Sequence, residues 1–129
     1  MTLPDLSTPA LLVEQSRLEA NLAAMQAKAD ANDVTLRPHA KTHKSVALAR
    51  RQRDRGAAGL TVATVREAET FVDAGFEDVR VAYPVTGRDT HERLQSLRDE
   101  ATISFTVDTV AGAEQASAVH AEADTPVDV

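Results

Sequence analysis

Apolar residues in this chain change their period as the chain proceeds, and that alternation limits what it can fold into. Short continuous apolar runs, such as Gly59-Leu60-Thr61-Val62-Ala63, are followed by stretches in which apolar residues return every three or four positions. The first pattern reads as a strand and the second as an amphipathic helix. Strand and helix in regular succession imply parallel strands joined by crossover helices. From the second strand onward the starts lie 21 to 24 residues apart, which suits β/α units.

The elements follow from their borders. Thr8 to Val13 reads as a strand, and Ser16 stands where it would cap the next helix. Leu18, Leu22, Met25 and Ala29 share one face of that helix, which ends at Asn32-Asp33. Val34 to Ala40 reads as the second strand. Pro38 removes a ladder donor there, so its pairing is expected to be irregular or at an edge. Ser45 caps a short helix through Arg55, closed by Gly56. Ala58 to Ala63 is the third strand. Thr64 caps the following helix, with Glu67 placed for a capping box and Ala68, Phe71 and Val72 on the apolar side up to Gly75. Val79 to Tyr83 forms the fourth strand, Asp89 to Glu100 a helix with Leu94 and Leu97, and Thr102 to Val107 the fifth strand. A helix lined by Val110, Ala113, Ala116 and Val119 leads to the start of a sixth strand at Pro126 to Val129.

No linker interrupts residues 1–129, so the chain is read as one unit of α/β class. A (β/α)8 barrel needs about 250 residues, and this sequence runs out within a strand. The expectation is therefore a partial barrel, the N-terminal part of a longer chain. The competing reading is a naturally short doubly wound domain.

Charge and composition remove several partner classes. The net charge is −6, from 14 basic and 20 acidic residues, with no Trp and Tyr83 as the single Tyr. Such a surface neither neutralises phosphates nor stacks bases, so no nucleic-acid partner is expected. No apolar run approaches the roughly 20 residues of a membrane span, and Met1 to Leu6 hold no signal-peptide pattern. Cys is absent, which excludes disulfides and thiolate metal sites and fits a cytoplasmic protein.

The chemistry concentrates in Arg37-Pro38-His39-Ala40-Lys41-Thr42-His43-Lys44, which holds two of the three lysines and two of the four histidines. Strand alternation would put Arg37, His39, Lys41 and His43 on one side. Lys41 falls at the C-terminal strand end, where parallel α/β folds carry their sites. A neutral lysine amine there attacks carbonyls and forms a Schiff base with a substrate or with pyridoxal phosphate. Positive neighbours such as Arg37 and Lys44 would favour the neutral amine. The competing reading is a basic loop whose charges are solvated. Metal binding by His39 and His43 is disfavoured, because four extended residues hold the rings apart and no third ligand lies nearby in sequence.

This segment resembles the cofactor-lysine motif of the D-threonine aldolase and D-serine dehydratase family, pyridoxal-phosphate enzymes of the alanine racemase fold. Three further stretches fit in order and spacing. Thr8-Pro9-Ala10-Leu11-Leu12-Val13 with Leu18-Glu19-Ala20-Asn21 is similar to the family's opening. Gly59 to Val65 with Glu67-Ala68-Glu69 is similar to its third-strand signature, and Ala82-Tyr83-Pro84-Val85 to the next strand end.

The resemblance implies that Lys41 carries pyridoxal 5'-phosphate, with His39, His43, Thr64 and Tyr83 around the cofactor. Arg80 and Arg88 are read as surface residues. It also implies an alanine racemase-like N-terminal barrel, of which this chain holds four strands and part of a fifth, followed by a C-terminal β domain. The Thr8 to Val13 strand packs with that second domain in the family. A divalent metal, Zn or Mn, belongs to the full-length protein, held near its C-terminus. The substrate implied is a β-hydroxy-D-amino acid, and relatives are often dimers, so a homodimer is compatible. The fragment alone is expected to have little or no activity. Two other readings share the barrel: a cofactor homeostasis protein without turnover, and an amino-acid racemase, whose lysine is followed by a tyrosine-containing sequence. A ligand-free structural domain would require the matches to be accidental.

Overall fold

The computed structural model describes residues 6–123 and 126–129. The expected absence of a signal pattern at residues 1–5 lies outside them. Among the described residues there are five α-helices: α1 (Gln15–Asp30), α2 (Val46–Arg53), α3 (Val65–Asp73), α4 (Arg88–Ser96) and α5 (Val110–His120). Three strands, β1 (Leu60–Val62), β2 (Asp78–Pro84) and β3 (Thr102–Thr106), form a parallel sheet in the order of the chain. The architecture is one arc of a (β/α) barrel, as the alternating periods predicted.

Single parallel bridges extend the arc on both sides, His39 to Thr61 and Ser104 to Asp128. A register row therefore runs His39–Thr61–Arg80–Ser104–Asp128 across the sheet. Residues on either side of this row alternate in environment. Leu60, Val62, Val79, Val81, Ile103 and Phe105 are buried with Ala68, Phe71, Val72 and Leu94 in the hydrophobic core. Thr61, Arg80 and Ser104, on the opposite face, are half-buried and polar. One face is thus a core and the other a polar wall.

One glycine permits the polar wall. A Cβ at Gly59 would lie 2.8 Å from both Arg37 Nε and Asp78 Cγ. Arg37 and Asp78 form their ion pair over this gap, and a larger residue at position 59 would part them.

Helix borders follow local chemistry. Ser45 Oγ accepts the Leu48 N–H and Thr64 Oγ1 the Glu67 N–H, so both cap as expected. Gly56 and Gly75, with φ of 112° and 83°, turn the chain after α2 and α3. Ser16 is not a cap. It lies within α1, whose cap position is Glu14, and its hydroxyl bonds that carboxylate. Glu19 joins α1 to α2 by pairing with Arg51 and Arg55. Among the described residues no helix is long and apolar enough to cross a membrane.

The strand expectations need three corrections. Thr8 to Val13 is not a strand: its backbone has no ladder partner among the described residues, and Leu11, Leu12 and Val13 are exposed. An apolar run becomes a strand only beside another strand. Val34 to Ala40 contracts to the bridge at His39, because the carbonyls of Leu36 and Pro38 accept from Ala58 and Thr61 at 2.9 and 2.8 Å while Pro38 has no N–H to give. The segment lies at the sheet edge, where proline is tolerated. Pro126 to Val129 likewise contributes only the bridge at Asp128.

Candidate functional site

Lys41 sits on a turn that replaces the continuation of a strand. His39 is still extended, and its Nδ1 accepts the Lys41 N–H at 3.3 Å. Ala40 is 1% exposed and anchors the turn in the core. Its carbonyl accepts from His43 N–H at 3.1 Å and Lys44 N–H at 2.8 Å. Lys44 has φ 46°, a left-handed conformation unusual for a residue with a side chain, and this redirects the chain toward α2. His43 Nδ1 then accepts the Ser45 N–H at 3.1 Å.

This turn ends the expected alternation of Arg37, His39, Lys41 and His43. The backbone becomes helical at Ala40, so the four side chains do not share a face. Lys41 is exposed at the C-terminal side of the sheet. Its ammonium has no ion-pair or hydrogen-bond partner among the described residues, whereas Arg37 pairs with Asp78 and Lys44 lies 3.0 Å from Glu67. The neighbouring cations expected to act on the amine are therefore charge-compensated.

The two flanking histidines differ. His39 is half-buried and uses Nδ1 as an acceptor, so a neutral ring carries its proton on Nε2. His43 turns inward to Gln52 of α2. Burial lowers its pKa, against the opposing effects of Gln52 and the Ser45 N–H.

Thr64, at the end of β1, is exposed and caps α3, its Oγ1 3.1 Å from Glu67 N. Tyr83, near the end of β2, packs against the hydrophobic core. Arg88 is exposed and pairs with Glu92 at 2.7 Å, as a surface residue should. Arg80 departs from the expectation. It is half-buried on the polar wall, donates to Thr106 Oγ1 at 3.3 Å, and has no carboxylate partner among the described residues.

Glu67 was legible only as a capping residue. Its Oε2 accepts the Ala63 N–H at 2.7 Å, one residue before the capping-box position, and its Oε1 faces Lys44. A cleft of about 220 Å3 lies behind the turn, lined by Leu22, Leu36, Pro38, His39, Gln52 and others. A hollow of about 500 Å3 at the N-terminal end of the sheet, beside Arg53, Gly59 and Phe76, is remote from this chemistry. Among the described residues no three His, Cys, Asp or Glu side chains cluster so as to hold a metal ion.

An exposed amine without a partner among the described residues suits a reaction with an aldehyde, and the Arg80 guanidinium, which has no carboxylate partner among the described residues, suits an anionic group. Pyridoxal phosphate carries both functions, so these residues fit it.

A family model for the alanine racemase N-terminal domain matches residues 13–129. The chain is 42% identical over 117 residues to D-threo-3-hydroxyaspartate dehydratase of Delftia sp. (strain HT23), covering 91% of this chain and 31% of that protein. It is 42% identical over 122 residues to D-threonine aldolase of Arthrobacter sp, covering 95% and 32%. The crystal structure of D-threonine aldolase from Filomicrobium marinum superposes with a TM-score of 0.93 at 38% identity, over 98% of this chain and 34% of that one. The chain thus spans about a third of the length of the relatives it matches.

Proposed function

Because the chain belongs to the alanine racemase N-terminal domain family, we propose that it supplies the cofactor-bearing lysine of a pyridoxal-phosphate-dependent lyase acting on β-hydroxy-D-amino acids. Residues 1–129 are the N-terminal part of the barrel in this reading, completed by further strands and a β domain. The observation that carries it is Lys41, the lysine of the turn left without a partner while Lys44 is paired. Relatives named as aldolase and as dehydratase both match, and both reactions start from a β-hydroxy-D-amino acid.

Pyridoxal phosphate would supply an aldehyde and an electron-accepting ring that draws charge from the substrate α-carbon. The chain's own residues do the rest. Lys41 would hold the cofactor through its side-chain amine and would be placed to hold or move the substrate α-proton. His39, whose Nδ1 accepts the Lys41 N–H, would stand beside the cofactor, and His43 would support the turn through the Ser45 N–H that it accepts. Thr64 and Tyr83 contribute at the adjoining strand ends. A divalent metal, Zn or Mn, a homodimeric state and a cytoplasmic location complete the proposal for the whole protein. Alone, the 129 residues are expected to show little or no turnover.

Reduction with borohydride after incubation with pyridoxal phosphate, followed by peptide mapping, tests this. The stable adduct should map to Lys41 and vanish in Lys41→Ala. Equal labelling of Lys28, Lys41 and Lys44 would sink the reading.

A further inference from the structure

Besides buried Ala40 and the bridge at His39, a carboxylate of α3 ties the Lys41 turn to the rest of the fold. The Glu67 side chain is 13% exposed and lies in the first turn of α3. One oxygen accepts the Ala63 N–H at 2.7 Å and the other faces Lys44 Nζ at 3.0 Å. Burial acts to raise its pKa, but the Ala63 N–H, Lys44 and the nearby His39 prevail and lower it. Glu67 is therefore ionised at neutral pH. It touches the end of β1, the start of α3 and the far end of the Lys41 turn.

Lys44 is the receiving end of that tie. A residue with a side chain keeps a left-handed φ only where its surroundings hold it there. Two contacts hold Lys44: its N–H on the Ala40 carbonyl at 2.8 Å, and its ammonium on Glu67. Lys41 lies between Ala40 and Lys44, on the turn that the first of these contacts closes.

We propose that Glu67 is a positioning residue for Lys41: acting through Lys44, it fixes the Ala40–Lys44 turn and so the direction in which the Lys41 amine is presented. The inference rests on Lys41 being the cofactor lysine. It differs from a purely capping role, which would stabilise α3 and leave the turn as it is.

Two substitutions approach the tie from opposite ends. Glu67→Gln keeps the size of the side chain and an oxygen for the Ala63 N–H but removes the charge facing Lys44. Lys44→Gly removes the ammonium and also the steric demand of the left-handed conformation. In the 129-residue chain, four quantities are read: amide hydrogen exchange at His43 and Lys44, the rate of borohydride-trapped adduct at Lys41, the induced circular dichroism of the bound chromophore, and the melting temperature.

In Glu67→Gln, exchange at His43 and Lys44 should quicken about tenfold. Trapping should slow about fivefold, as expected for loss of one charge-assisted contact, and the induced dichroism should weaken while melting hardly moves. Adding Lys44→Gly should cause little further loss, since both changes cut the same tie. Wild-type exchange at His43 and Lys44 in Glu67→Gln would overturn the inference, as would trapping at the wild-type rate. So would faster exchange spread over all of α3 with a lowered melting temperature, the signature of a cap. A wild-type chain that forms no adduct at Lys41 removes this inference together with the proposed function. Normal trapping in both wild type and variant removes this inference alone.

Discussion

His39 and His43 flank the Lys41 turn at the C-terminal side of the sheet, whereas His91 and His120 lie inside the layer between β3 and helices α4 and α5. The first two are half-buried, and each accepts a backbone N–H through Nδ1. The second two are 0% and 4% exposed. Their rings stand edge to face at 5.4 Å, and Phe105 lies 5.2 Å from His91 and 5.3 Å from His120. His120 Nδ1 meets Gln95 Oε1 at 2.6 Å, and that oxygen also accepts from Arg98, so the imidazole is the donor. One residue type thus serves two ends. At the turn, histidine shapes backbone around a reactive amine. In the core it packs as an aromatic, and its capacity to bind a proton becomes a liability.

The sharpest way to break this contrast is to remove the ring against which both core histidines pack. Phe105→Ala should lower stability by about 3–5 kcal/mol in urea denaturation, the range for a buried aromatic. A loss below about 1 kcal/mol would show that the cluster is not the packed unit described.

Acid comes next. Burial, then the charges of His91 and Arg98, pushes the His120 pKa down to about 4, against about 6.5 in the unfolded chain. Between these values the unfolded chain binds a proton that the folded chain excludes. Stability should therefore fall as pH drops from about 6.5, and level off for this group near 4. Burial also lowers His91, which adds to the slope, as does His43. His120→Leu should flatten the dependence of melting temperature on pH. An unchanged slope would assign the acid sensitivity elsewhere.

Thr64→Ala should cost about 1 kcal/mol, the usual value of a lost N-cap. Its effect should be seen as faster amide exchange in the first turn of α3, and unaltered exchange there would deny the cap a role. Smallest in stability is His39→Ala, at under about 0.5 kcal/mol for a half-buried ring with one long hydrogen bond. The same change should nevertheless slow cofactor trapping at Lys41 severalfold. If it melts the protein as Phe105→Ala does, the two histidine pairs are not different in kind.

The same contrast shows what the amino-acid sequence made legible. The caps of α2 and α3 were readable because a cap and an apolar stripe are local: Ser45, Thr64 and the Ala68–Phe71–Val72 side all stand as expected, whereas Ser16 does not. Strand extent was not, because a ladder needs a neighbour. Thr8 to Val13 has none among the described residues, and Pro38 reduces its own strand to a bridge. That Lys41 follows the sheet-edge segment was readable; that it sits on a turn was not. The Lys44–Glu67 contact was not, since it joins residues far apart in sequence through a left-handed turn that nothing in Lys44 announces. The core histidines had a faint signal: His91 lies three positions before Leu94, and His120 four after Ala116, each continuing a buried stripe.

The order of the strands has a consequence for synthesis. Leu60 pairs with Val79 and Val79 with Ile103, partners 19 and 24 residues apart, and among the described residues no strand of this sheet pairs with a more distant one. A ribosome adding about 5–20 residues per second delivers each such unit in roughly one to five seconds. Pairings this local close quickly by comparison. Each strand can therefore join the one made before it as the chain emerges, and the sheet can grow at the pace of translation.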